Sequence, residues 1–214
     1  MNLINMGLAV GIVFGLLLLS EWGWRKHWLH GEVGRKFVHV TVGTFVAFWP
    51  YFLDWTEIRL LSLAFFVVVL ASMHLGVFKA IGSVQRPTYG EIFFALSVGL
   101  LTIITTSKGI YAAAILQMAL ADGFAAIIGG RFGTENKYHL FGRAKSFVGS
   151  LTFFVISLSL LVGYSALSDN GLAWPYIIGG AFAATLLENI AALGFDNLIV
   201  PLAVGILLQL LSTP

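Results

Sequence analysis

The chain has 214 residues, 58% of them hydrophobic and 10% charged, with a formal net charge of +2 and a mean hydropathy of +0.92. Soluble domains carry roughly 25% charge, so water is not its main solvent, and only helices or a closed barrel can cross hydrocarbon without bare peptide groups. The absence of cysteine excludes disulfides and thiolate metal sites, and the pI near 9.0 follows from membrane topology rather than from nucleic acid as a partner.

Eight apolar runs are predicted as spanning helices, at Leu3–Leu19, Lys36–Leu53, Ile58–Phe78, Glu91–Thr106, Ile110–Ile128, Phe147–Leu167, Trp174–Ile190 and Leu198–Leu211. They are rich in Leu, Ile, Val, Phe, Ala and Gly and lack the alternation of barrel strands. The first run begins at once, with no basic segment before it and no small-residue cleavage pattern after it, so it reads as a retained helix. Short connections and a uniform composition give an all-α, polytopic integral membrane protein, one transmembrane catalytic domain over 1–214.

Lysine and arginine set the orientation, because positively charged connections stay in the cytoplasm. Ten of them lie in or beside alternate connections, whereas only Arg59 and Lys108 occupy the other set. Both termini are thereby expected outside, with connections 1–2, 3–4, 5–6 and 7–8 inside. The expected location is the cell membrane, or that of the endoplasmic reticulum in a eukaryote. Trp22, Trp24 and Trp28 read as an interfacial aromatic belt.

Four polar clusters need a reason beyond topology. In the first, Glu32, Arg35, Lys36 and His39 are spaced to share one side of a helix, and Gly43 and Ala47 continue that stripe. An intrahelical ion pair with snorkelling tips is the structural reading of Glu32. His39 falls a turn inside the span, where ionisable groups face the bundle interior or a wet cavity. The second cluster, in the 3–4 connection, is Arg86, Tyr89, Gly90 and Glu91, equally readable as a basic loop with a turn glycine.

The third runs from Ala121-Asp122-Gly123 through Gly129, Gly130, Arg131 and Gly133 to Lys137, Arg143, Lys145, Ser146 and Gly149. Asp122 lies inside an apolar helix, and Ala126, Gly129 and Gly133 follow it at steps of four, three and four. Close helix packing accounts for the glycines but not for the acid, which needs a metal or a cationic partner. Bare backbone at Gly129, Gly130 and Gly133 would let phosphate oxygens approach N–H groups, with Lys145 and Arg143 supplying charge. Neither a nucleotide-binding Gly-Lys-Ser/Thr loop nor a dinucleotide fingerprint is present, since Ala144 precedes Lys145 and no strand is expected.

The fourth cluster is Glu188-Asn189 and Asp196-Asn197, with Gly194 between them and Pro201 beyond. Asp196 reads alone as a helix cap; together the group offers hard oxygen ligands suited to Mg²⁺ that is also held by phosphates. All four clusters face the cytoplasm, as a cleft for a soluble phosphorylated donor and a membrane-dissolved acceptor would.

At these residues the sequence resembles the CTP-dependent lipid kinases, the family of dolichol, phytol and CTP-using diacylglycerol kinases. The matching segments cover most of the chain: Glu32-x-x-Arg35-Lys36-x-x-His39-x-x-x-Gly43, Arg86-x-x-x-Gly90, Ala121-Asp122-Gly123-x-Ala125 through Gly129, Gly133, Lys145-Ser146 and Gly149-Ser150, then Glu188 and Asp196-Asn197-x-x-x-Pro201. The related CTP:phosphatidate cytidylyltransferases share the Asp-Gly and Lys-x-x-x-Gly portions. Their Lys-Asp, His-Gly-Gly and Asp-Arg signature is missing here, which favours the kinase branch over a product of the CDP-lipid type.

The resemblance implies transfer of the γ-phosphoryl group of CTP to a membrane lipid alcohol, either polyprenol, dolichol or phytol-like or diacylglycerol. Asp122 with Glu188 or Asp196 would hold Mg²⁺, and Lys145, Arg35 and Lys36 would neutralise phosphate oxygens. Arg86, Arg143, Ser146, Asn197 and the three glycines would contact the nucleotide, and His39 would orient the hydroxyl or accept its proton. A small transporter is the non-enzyme alternative, but its polar residues would sit near the midplane of an inverted repeat, and no repeat is evident.

Overall fold

The computed structural model describes residues 2–29, 31–75, 89–140, 143–168 and 171–212, with side chains 72–75 left aside. Arg86 and Lys79 lie outside the described residues. Helix α1 is Leu3–Arg25, α2 Gly31–Ala47, α3 Trp55–Leu75, α4 Gly90–Ile104 and α5 Lys108–Leu116. A π-helical turn, Gln117–Asp122, joins α5 to α6, Gly123–Phe132. Strands β1, Lys137–Leu140, and β2, Arg143–Ser146, precede α7, Phe147–Leu167, α8, Trp174–Ile190, and α9, Asp196–Ser212.

The chain is helical, as expected, with one correction. The segment read as a strandless loop forms an antiparallel hairpin in the register Lys137↔Ser146, Tyr138↔Lys145, His139↔Ala144 and Leu140↔Arg143. The helix carrying the first polar cluster also begins earlier than expected, at Gly31, so Glu32, Arg35, Lys36 and His39 all ride on one rigid element. Three helices among the described residues are long and apolar enough to cross a membrane: Leu3–Arg25, Lys108–Phe132 taken as one body, and Phe147–Leu167. Helices α4 and α9 are apolar but shorter; at 15 residues α4 extends about 22 Å, less than a hydrocarbon core of about 30 Å.

The Lys108–Phe132 body is the axis of the fold, with 67% of its apolar window buried against 11% for α1 and 17% for α7. Its Ile110, Tyr111, Ile115 and Met118 are sealed from the surface. Helices α2, α7 and α9 pack directly against this axis, α8 packs on α7 and α9, α3 on α4, and α1 on α2. Large apolar side chains such as Leu8, Phe14 and Leu18 of α1, Leu151 and Val155 of α7 and Phe182 of α8 point outward. Water would penalise such a surface, and lipid tails would not.

Missing side chains let α2 lie close to the axis. A Cβ on Gly43 would sit 2.6 Å from the Ala119 Cβ, and one on Gly123 would run into the Val40 side chain. Gly43→Val should therefore lower stability by about 1–3 kcal/mol through overpacking, read as a fall in the thermal midpoint in detergent. Gly163→Ala, on α7 with nothing within 4 Å of its Cβ position, should leave the midpoint unchanged or raise it.

Candidate active site

The close crossing of α2 and the axis places Lys36 and His39 on Asp122. The Lys36 ammonium lies 2.5 Å from Asp122 Oδ2, with the two residues 4% and 6% exposed. His39 Nε2 is 2.9 Å from the Met118 carbonyl oxygen and 3.3 Å from Asp122 Oδ2. Two acceptors facing Nε2 mean that this nitrogen carries the proton and donates, which leaves Nδ1 as the basic position. Asp122 is the last residue of the π turn, and Met118 lies within it. Such bulges widen a helix by one residue and recur at functional sites.

Two more carboxylates converge on Asp122 from the other end of the chain. Ligand oxygens of Asp122, Glu188 and Asp196 all lie within 4.8 Å of one another. Glu188 comes from the last turn of α8 and Asp196 is the first residue of α9. The turn between them uses positive φ at Leu193 and Gly194, and it is pinned to the start of α4: Tyr89 N–H donates to the Leu193 carbonyl at 2.9 Å, and Asn197 Nδ2 donates to that of Gly90 at 3.0 Å. The α8–α9 turn thus holds Asp196 beside Glu188.

The hairpin closes the site from the third side. Lys145 donates to the Glu188 carboxylate and also to its carbonyl oxygen, and Arg143 donates to the Ala191 carbonyl at 3.1 Å. Both cations therefore satisfy the free carbonyls at the C-terminal end of α8, where positive charge is favoured. Tyr138 of β1 and Ser150 cluster on Asn189 Oδ1, the Tyr138 oxygen 2.5 Å and the Ser150 oxygen 2.9 Å from it and the two hydroxyl oxygens 2.6 Å apart, so that their two protons are shared among three contacts.

The glycines have packing duties. A Cβ on Gly129 would lie 2.8 Å from both the Gly149 Cα and Ser146 Oγ, and the empty side of Gly133 is filled by the Ser146 side chain. Ser146 itself caps α7, its Oγ accepting from Gly149 N–H at 3.0 Å. Of the three glycines, Gly130 alone has open space beside it. Arg35 is engaged with Glu32 at 2.5 Å, which is the intrahelical pair that the spacing suggested.

Similarity to known proteins covers nearly the whole chain. It is 35% identical over 206 residues to the phytol kinase of Synechocystis, spanning 93% of this chain and 88% of that protein. The chain belongs to the phytol kinase family. A probable chloroplastic phytol kinase 2 of Glycine max is 30% identical over 80% of this chain and 63% of its own length. A second from the same plant, probable phytol kinase 1, is 28% identical over 94% and 75%. No family model matches the chain, and no solved structure does.

For this phytol kinase family member, the sequence-predicted residues Lys36, His39, Asp122, Lys145, Glu188 and Asp196 meet at one end of the bundle. Arg35 and Asn197 stand at its edge, where they line a small chamber with His39. Tyr138, Ser150 and the carbonyls at the end of α8 were not singled out from sequence, and only the Gly149-Ser150 pair gave any signal. The three carboxylates suit a magnesium ion. Their ligand oxygens are near enough to one another that they could hold such an ion between them. Lys36 and Lys145 meanwhile offset part of the mutual repulsion of the acids.

The Lys36–Asp122 pair makes a measurable statement about stability. Asp122→Leu alone strands a buried ammonium and should cost about 3–5 kcal/mol, whereas Lys36→Met combined with Asp122→Leu should recover most of that loss in thermal unfolding. Equal midpoints for the single and double variants would show that the pair does not hold these helices together.

Proposed function

We propose that this protein is a CTP-dependent, Mg²⁺-dependent kinase that phosphorylates the hydroxyl of a membrane lipid alcohol of the phytol type, at the cytoplasmic face of a bundle whose eight helices all cross the bilayer. Membership in the phytol kinase family supports the reaction class. The observation that carries the reading is the convergence of Asp122, Glu188 and Asp196 with Lys36 and Lys145 at one end of an apolar bundle. Phosphoryl transfer demands mainly positioning and charge neutralisation, and this site offers both.

Asp122, Glu188 and Asp196 would hold the magnesium ion, which when bound offsets charge on the phosphates. Lys36 and Lys145 would exchange part of their carboxylate contacts for phosphate oxygens, with Arg35 and Arg143 at the rim. The open side of Gly130 leaves backbone accessible at the end of α6. The lipid hydroxyl oxygen would form the new bond to the γ-phosphorus as the bond to the β–γ bridging oxygen breaks, and CDP would leave. With Nε2 committed to Met118 O, His39 Nδ1 is the group to receive the hydroxyl proton.

Purified protein incubated with each nucleoside triphosphate and phytol should release CDP and phytyl phosphate from CTP. Asp122→Asn should reduce that turnover on the order of a hundredfold. Release of pyrophosphate with a CDP-lipid would identify a cytidylyltransferase instead, and turnover by the Asn variant near that of the parent would remove Asp122 from the reaction.

A further inference from the structure

A single apolar groove of about 380 Å³ runs between α1, α2, α3 and α4. Beside it is a chamber of about 60 Å³ lined by Arg35, His39, Glu91 and Asn197. The two spaces share the side chains of Val38, Val42, Phe65, Glu91 and Phe94, so they lie side by side. His39 in the chamber wall touches Asp122 directly. The His39 ring thus stands between the chamber and the carboxylate cluster.

Two polar facts point to an occupant. Asn197 is only 4% exposed, and among the described residues its Oδ1 has no hydrogen-bond partner. Pro201, four residues on, has no N–H to give the Asn197 carbonyl. A buried acceptor without a donor is costly, and a hydroxyl entering the chamber that Asn197 lines would be such a donor. The groove itself is apolar apart from Glu91, Ser62, whose hydroxyl already donates to the Ala95 carbonyl at 2.8 Å, and the Trp49 indole N–H, which has no partner among the described residues.

Resting on the kinase reading above, we propose that this groove seats the single aliphatic tail of the lipid alcohol, with the hydroxyl in the Asn197 chamber and Trp49 as the floor that limits tail length. Val38, Val42 and Val46 stand one above another on α2 at four-residue steps, each about 6 Å deeper, and buried Trp49 closes the far end. Exposed Phe14 and Val68 leave the side of the groove open toward the hydrocarbon.

Chain-length profiles test this. Val46→Phe, in the deep part, and Ala64→Trp, at an exposed lining position, should each cut phosphorylation of a C20 prenyl alcohol by roughly tenfold or more while sparing a C10 alcohol within about threefold. Variants active on both alcohols in the parent's ratio would overturn the groove assignment while leaving the kinase reading standing. Inactivity of the parent on every lipid alcohol would instead sink the kinase reading. The unaltered protein provides a measurement free of folding effects: a C20 alcohol with a diazirine at its tail end should label peptides from Val42–Trp49 and Phe94–Val98. Labelling confined to outward residues such as Leu151 or Phe182 would overturn the proposal.

Discussion

Everything at the polar end of this molecule depends on the buried ion pair between Lys36 and Asp122. Neither charge could stay ionised there alone, since desolvation costs several kcal/mol per ion and only a well-placed partner offsets it. The pair also makes the acidic cluster tenable, because Glu188 and Asp196 lie within 4.8 Å of Asp122 and three unscreened carboxylates would repel one another. Lys36 answers Asp122 and Lys145 answers Glu188, which holds the acids in a ligand-like arrangement.

The pair in turn depends on small residues. Gly43 against Ala119 and Gly123 against Val40 set how closely α2 approaches the axis, and a larger side chain at either crossing would draw the ammonium away from the acid. On the opposite side, Gly129 and Gly149 let α7 approach α6. That approach sets where the hairpin emerges and hence where Lys145 meets Glu188. Two helix crossings made of glycine thus position two lysines, and a single arrangement of backbone serves both stability and chemistry.

Much of the site was legible in the sequence because its chemistry conflicts with its solvent. Asp122 in an apolar helix, His39 a turn inside another and the acid–amide pairs around Gly194 stand out against hydrocarbon, and all three groups meet. Their pairing was not legible. Asp122 asked for a metal or a cationic partner without naming one, and the partner is Lys36, 86 residues away, a contact that no local periodicity encodes. The glycines after Asp122 read as phosphate access, yet Ser146 and Gly149 fill the space beside two of them. The hairpin was missed because a charged segment of ten residues with a two-residue connection looks like a loop unless the pairing of Tyr138 with Lys145 is known. Arg86 falls outside the described residues.

The proposed reaction joins a water-soluble donor to a hydrocarbon-soluble acceptor, and α2 would gather both requirements on one helix. At about 100° per residue, Lys36, His39 and Gly43 form one stripe, and Val38, Val42 and Val46 form another turned by about 90° from it. The first stripe packs on the axis and the second lines the groove. His39 falls at the edge of the first stripe nearest the second, which is why it touches Asp122 and also walls the chamber. A residue at that seam is shared by the polar cluster and the apolar groove, so a hydroxyl carried in on a tail would arrive beside the one imidazole already oriented by Met118. Moving histidine by a single position would turn it about 100°, to the place of Val40 against Gly123 or of Val38 in the groove wall, and would take it off Asp122.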